Sequence, residues 1–249
     1  HAVPTDETLL LQTSGTTGEP KLVPLSQGNV SYSAGSIGRN LKLSASDRLL
    51  SFMGLFHIHG LIAGVLAPVR AGGFVYCAPV VNRGTIDKFF GWFADAKPTW
   101  ITGVATMHQM IVTESAKPEN QAILRELGGN VRVVRASSMS LPPAVLEDLE
   151  RIFPNAVAVE AAGGTEASHE WASNPPDRSR RKPGSVGFPT GAKIKLVDAN
   201  TYEEVPVGKQ GLIALQGPGV FGGYPEDKTK DFVDGWFVNG DEGIFDAEG

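Results

Sequence analysis

The residues with the densest chemical content run from Thr13 to Lys21, reading TSGTTGEPK. Gly15 and Gly18 allow positive φ and let backbone approach a ligand with no Cβ in the way. The hydroxyls of Thr13, Ser14, Thr16 and Thr17, with successive backbone N–H groups, could wrap a polyphosphate, and Lys21 would add a point charge. A flexible Ser/Gly connection is the alternative that composition leaves open. The string is not a Walker A loop, because no Gly-Lys is followed by Ser or Thr at the required spacing.

Such a loop needs a scaffold. The 249 residues are 41% hydrophobic and 20% charged, which describes a globular chain with ample core. A net charge of −5 and a pI near 5.6 argue against general nucleic-acid binding. The single cysteine, Cys77, excludes an internal disulfide framework and a Cys-based zinc site. A reducing compartment follows, cytoplasmic, or peroxisomal if a signal lies beyond this stretch; no signal peptide is read before the first strand. Leu49 to Val69 carries no Asp, Glu, Lys or Arg, and exceeds the roughly 18 apolar residues of a spanning helix. Its two histidines and its Gly and Pro breaks favour a buried strand, loop and helix instead, so no membrane span is expected.

Around the loop, Leu9-Leu10-Leu11 reads as a buried strand leading in, and Ser26 as the N-cap of a helix through Arg39. Apolar strands at Leu49–Phe52, Gly73–Ala78, Trp100–Val104 and Val131–Val134 alternate with helical patterns at 62–69, 85–96, 106–113 and 142–153. This rhythm predicts an α/β fold, a mainly parallel sheet layered with helices. After Lys182 helix signals vanish, and short strands at Lys193–Val197 and Gly211–Gln216 suggest a small β-barrel-like subdomain. The expected division is 1–190 and 191–249. The run Asp177 to Lys182 reads as a solvated loop.

TSGTTGEPK followed by Val23-Pro24-Leu25-Ser26 resembles the phosphate-binding signature of the AMP-forming adenylating superfamily, which holds acyl-CoA synthetases, peptide-synthetase adenylation domains and firefly luciferase. Within it the chain is most similar to the oxalyl-CoA synthetase branch. The resemblance implies that ATP and a small-molecule carboxylic acid form an acyl-adenylate with release of pyrophosphate. CoA, or alternatively a carrier protein's thiol, then takes the acyl group. It also implies a segment before the loop and a mobile C-terminal domain, bearing a lysine that reaches the adenylation site, beyond the borders of this chain.

Residue by residue, EAAGGTEASHE resembles the Tyr-Gly-x-Thr-Glu motif. Glu166 would hold Mg²⁺ and Thr165 would donate to the α-phosphate; Lys21 and His57 complete the implied catalytic set. Asp241, in GWFVNGDEGIFD, matches the carboxylate that grips both ribose hydroxyls, although Asn239 stands where Thr is usual. His57 of FHIHG matches the motif histidine between acyl pocket and phosphate, with His59 and His169 lining that pocket. Two imidazoles beside a small pocket would suit a short, doubly charged acid such as oxalate.

The adenine site departs most from the family. Ala162 replaces the stacking tyrosine, followed by Gly163 and Gly164, and the facing wall reads Ser138-Met139-Ser140. Leu212 also replaces a common Glu.

Overall fold

The computed structural model describes residues 1–13 and 21–249. Strands β1 (Glu7–Thr13) and β2 (Lys21–Ser26) form an antiparallel ribbon with Thr13 opposite Lys21. The expectations for Ser14, Gly15, Thr16, Thr17 and Gly18 lie outside the described residues. β1 is a strand, as its leucines predict, but not a buried one: Leu10 is 55% exposed. A two-stranded ribbon has cover on one face only, so its side chains alternate between half-buried and exposed.

Ser26 caps helix α1 (Gln27–Asn40): its hydroxyl accepts the Asn29 N–H at 3.1 Å, and the Asn29 side chain accepts the Ser26 N–H at 2.9 Å. This reciprocal box satisfies helix-end donors that would otherwise lack partners. The chain continues through β3 (Arg48–Ser51), α2 (Ile58–Leu61), a π-helical turn (Ile62–Leu66), α3 (Ala67–Arg70) and β4 (Phe74–Cys77). Then follow α4 (Phe89–Ala96), β5 (Trp100–Gly103), α5 (Ala105–Ser115), α6 (Pro118–Leu127), β6 (Val133–Ser137), α7 (Pro143–Ile152) and β7 (Val157–Ala162). The uncharged stretch thus becomes a strand and a segmented helix. No helix among the described residues is long and apolar enough to cross a membrane.

Strands β8 (Ala172–Ser173) and β9 (Phe188–Pro189) complete a seven-stranded sheet of order β4-β3-β5-β6-β7-β8-β9. The first five are mutually parallel, β8 pairs antiparallel with β7, and β9 antiparallel with β8. Consecutive residues serve opposite faces: Leu50, Ile101, Val134 and Ala158 enter one core, and Leu49, Trp100, Val133 and Val159 the other. Burial on both faces explains why these strands read as apolar runs.

The small β unit is a four-stranded antiparallel sheet, β10 (Lys193–Val197), β11 (Gln210–Gln216), β12 (Phe232–Val233) and β13 (Trp236–Ile244), ordered β10-β11-β13-β12. The expected fold class, a layered α/β sheet followed by a small β unit, is what the chain forms. Register slips between β11 and β13: Leu212 faces Glu242 but Ala214 faces Val238. The residues between, Asn239-Gly240-Asp241, bulge from the ladder, with Gly240 at φ +85°. The charged run is a loop whose residues Arg178, Ser179, Arg180 and Lys182 are exposed, as expected. It is anchored at two points: Arg181 pairs with Glu150 on α7 at 2.5 Å, and Arg178 donates to the Ala156 carbonyl at 2.6 Å.

Candidate functional site

Parallel strands deliver their carboxyl ends to one edge, where ligands bind in open α/β sheets. Ser51, Ser137 and Ala162 end β3, β6 and β7 there, and His57, Ser138 and Gly163 follow in the loops beyond.

A cavity of about 230 Å³ opens at this edge, lined among others by Ser138, Met139, Ser140, Ala162, Gly163 and Asp241. Sequence reasoning had placed these residues at one nucleotide site from three separate stretches, and the structure brings them together. Ser138 adopts φ +73°, a left-handed conformation of the kind that concentrates at functional sites. Glu160 ties the rim: its Oε1 accepts the Leu141 N–H at 3.0 Å and its Oε2 the Gly184 N–H at 3.2 Å. Gly163 is obligatory, since a Cβ there would lie 1.3 Å from the His169 carbonyl oxygen. Asp241 reaches the cavity from the β13 bulge. Asn239 orients it, donating from Nδ2 to Asp241 Oδ2 at 3.0 Å and accepting the Asp241 N–H at Oδ1 at 3.0 Å. The departure from the usual threonine therefore supplies a positioning amide.

Next to the cavity, Thr165 and Glu166 open a short 3₁₀ turn, both half-buried. Glu166 Oε1 accepts a hydrogen bond from the Tyr224 hydroxyl at 3.1 Å. The Lys21 ammonium lies 4.7 Å above the Tyr224 ring and 3.4 Å from Asp231 Oδ2. Burial and the Glu166 charge together push the Tyr224 phenol far above its ordinary pKa, so it serves as a fixed donor. Tyr224 and Asp231 were not singled out in the sequence; the string Gly222-Gly223-Tyr224 is the only local signal.

The three pocket histidines separate. The His57 ring is exposed and caps α2, its Nδ1 accepting the His59 N–H at 3.2 Å. His59 and His169 are buried and stacked, with centroids 4.7 Å apart and planes at 21°. Arg135 Nη1 donates toward His59 Nε2 and Thr102 Oγ1, both at 3.3 Å, while Thr102 Oγ1 and His59 Nε2 are 2.8 Å apart. A guanidinium can only donate, so His59 Nε2 accepts and its proton resides on Nδ1. Among the described residues, His59 Nδ1 and His169 Nε2 are buried without partners. Burial, reinforced by the Arg135 charge, holds both imidazoles well below their ordinary pKa, hence neutral. His169 and Ser168 both take positive φ, +104° and +53°. The turn is held by Ser33 Oγ donating to the Ser168 carbonyl at 2.6 Å and Ser168 Oγ donating to the Gly219 carbonyl at 2.7 Å.

Arg135, Thr102 and Glu170 were missed by sequence reasoning. The available signal was an arginine inside the apolar strand β6, where a charge must find a partner.

The family described as AMP-binding enzyme matches residues 1–225. An oxalate–CoA ligase of Arabidopsis thaliana is 39% identical over 251 residues, covering 99% of this chain and 47% of that protein. One of Saccharomyces cerevisiae is 38% identical over 251 residues, covering 98% and 44%. The crystal structure of ATP-bound MatB from Rhodopseudomonas palustris matches with a TM-score of 0.85 and 30% identity, over 99% of this chain and 47% of that one. The chain spans about half the length of the curated relatives it matches.

Proposed function

The chain belongs to the AMP-binding enzyme family, and from that premise we propose that it is the nucleotide- and acid-binding core of an AMP-forming acid–CoA ligase. A substrate carboxylate oxygen attacks the α-phosphorus of ATP, the bond to the β-phosphate breaks, and pyrophosphate leaves. In the whole protein the CoA sulfur then attacks the acyl carbon and AMP departs. The observation that carries this reading is the cavity in which Ser138, Met139, Ser140, Ala162, Gly163 and Asp241 meet at the carboxyl edge of the parallel strands.

Asp241 accepts both ribose hydroxyls, which one carboxylate can do at once. Thr13, the 14–18 segment and Lys21 hold phosphate, with Gly164 and Thr165 beside the α-position. Among the described residues no three His, Cys, Asp or Glu converge as a metal cage. That fits magnesium, which takes one or two carboxylates and completes its shell with phosphate and water. Glu166 would hold the ion, which would neutralise charge building on the phosphates. CoA is taken as the acceptor thiol, in line with the relatives' names.

The acid is short and polar. Buried His59, His169 and Thr102 provide hydrogen-bonding groups behind His57 where a long tail would need an apolar tunnel. Oxalate, named in two relatives, is the first acid to test. Acid-dependent exchange of labelled pyrophosphate into ATP, run with a panel of short and long acids, is the direct measurement. Exchange with a short polar acid supports the reading; a whole protein that binds ATP yet exchanges with none of them refutes it.

A further inference from the structure

We propose that Asp231 sets the affinity for polyphosphate by competing with it for the Lys21 ammonium, an assignment that rests on Lys21 being the phosphate cation of the proposed reaction. Lys21 Nζ lies 3.4 Å from Asp231 Oδ2, a pairing across 210 positions of sequence. Lys21 opens β2 and Asp231 immediately precedes β12, so the contact ties the ribbon to the small β unit. The ammonium therefore meets an arriving nucleotide with a counter-charge already beside it.

The fold fixes where that counter-charge sits. Asp231 adopts φ +64°, and its carbonyl accepts the Val238 N–H at 2.7 Å, closing the β12–β13 hairpin. Its neighbour Phe232 packs on Phe221 and Phe237, with ring centroids 5.8 and 5.4 Å away. On its other side the ammonium lies 4.7 Å above the Tyr224 ring, itself edge-on to Phe221 at 4.8 Å. Carboxylate and aromatic face hold the cation in place, yet an ammonium has three N–H donors and Asp231 occupies one.

The contact is easily exchanged. The Lys21 and Asp231 side chains are 23% and 37% exposed, and ion pairs so open to water are weak. Asp231 can fall back on water when the cation turns to phosphate. A triphosphate or pyrophosphate sets several charges against the single charge of Asp231, and takes the ammonium. Once the bond to the β-phosphate has broken, Asp231 draws the ammonium back and eases pyrophosphate out. AMP lacks the terminal phosphates and does not enter this competition.

The test is calorimetric titration of the whole protein with ATP, pyrophosphate and AMP, each with magnesium present. Asp231→Asn removes the charge, keeps the shape and tolerates the left-handed backbone. It should tighten ATP and pyrophosphate about two- to fivefold, the range of an exposed ion pair, and leave AMP unchanged. Pyrophosphate dissociation, followed by stopped flow, should slow in step. In a Lys21→Ala background the gain should largely disappear, because the contested cation is gone. Unchanged or weaker ATP binding in Asp231→Asn, an unchanged dissociation rate, or a gain that survives Lys21→Ala in full overturns the assignment and leaves the nucleotide site standing. Wild type that binds no ATP, or Lys21→Ala that binds it as wild type does, overturns the phosphate reading and this inference with it.

Discussion

Arg135 and Glu170 form an ion pair from which water is wholly excluded: Nη2 lies 2.7 Å from Oε2, and neither side chain is exposed. Arg135 Nε reaches the same oxygen at 3.2 Å, and the Thr190 hydroxyl donates to Glu170 Oε1 at 2.9 Å. Desolvating two charges is costly, and these extra bonds are what such a pair needs to persist. With His59 and His169 neutral, the cluster behind His57 carries no net charge.

Removing one partner should therefore be severe. Glu170→Gln is expected to lower unfolding stability by about 3–5 kcal/mol, because it strands a buried guanidinium. Arg135→Met combined with Glu170→Leu should regain most of that loss. Guanidinium melts of wild type, Arg135→Met, Glu170→Leu and the double variant give the cycle, and simple additivity would show that the pair is not coupled.

The same pair bears on acid choice. Glu170 occupies the charge of Arg135, so Glu170→Gln should favour dianionic over monoanionic acids. The KM ratio of oxalate to a short monocarboxylate is expected to fall about tenfold, or ~1.4 kcal/mol, in pyrophosphate exchange below the variant's melting range. An unchanged ratio would mean that the cluster does not sense the acid.

Stability should drop on mild acidification. His59 and His169 are held well below the usual imidazole value by burial, with Arg135 adding to it, and burial lowers His108 to about 4 despite its bond to the Arg135 carbonyl. Protons bind the unfolded chain near pH 6.5 but not the folded one. The stabilising contribution is complete above about 6.5 and is lost as pH falls toward 4. Denaturation midpoints between pH 7.5 and 4.5 should decline steadily, and His108→Gln should flatten that slope.

Asn239→Ala should release Asp241 and weaken AMP binding several-fold, with little effect on melting since the hydrogen bond between them is solvent-exposed. Asp241→Asn should cost more, about 1.5–3 kcal/mol for lost charge-assisted bonds. Neither variant should discriminate AMP from its 2′,3′-dideoxy analogue as wild type does. Preserved discrimination would remove Asp241 from the ribose.

Tyr224→Phe should loosen Glu166 and raise the magnesium concentration that half-saturates pyrophosphate exchange. Lys21→Ala should weaken ATP more than AMP, because the terminal phosphates lose their cation. Titrations with magnesium and with both nucleotides check the pair; a Tyr224→Phe profile matching wild type would detach the phenol from the metal site.

By itself, the order of residues determined the layered sheet, since strands buried on both faces must be continuous apolar runs and those runs are visible. It also determined the Ser26 cap, and it pointed to Glu166 and Asp241 as candidates, because each belongs to a contiguous string whose family resemblance can be read. Short strands such as β8 and β9 left no comparable trace; two residues are too few to show a period. Neither did the pairings of Arg135 with Glu170, 35 positions apart, and of Tyr224 with Glu166, 58 positions apart. Single residues carry no periodicity, and only the crossing of strands brings them within reach. His57 and His59 show the same limit at short range. Two positions separate them, yet the start of α2 turns one ring to solvent and the other into the core, against His169.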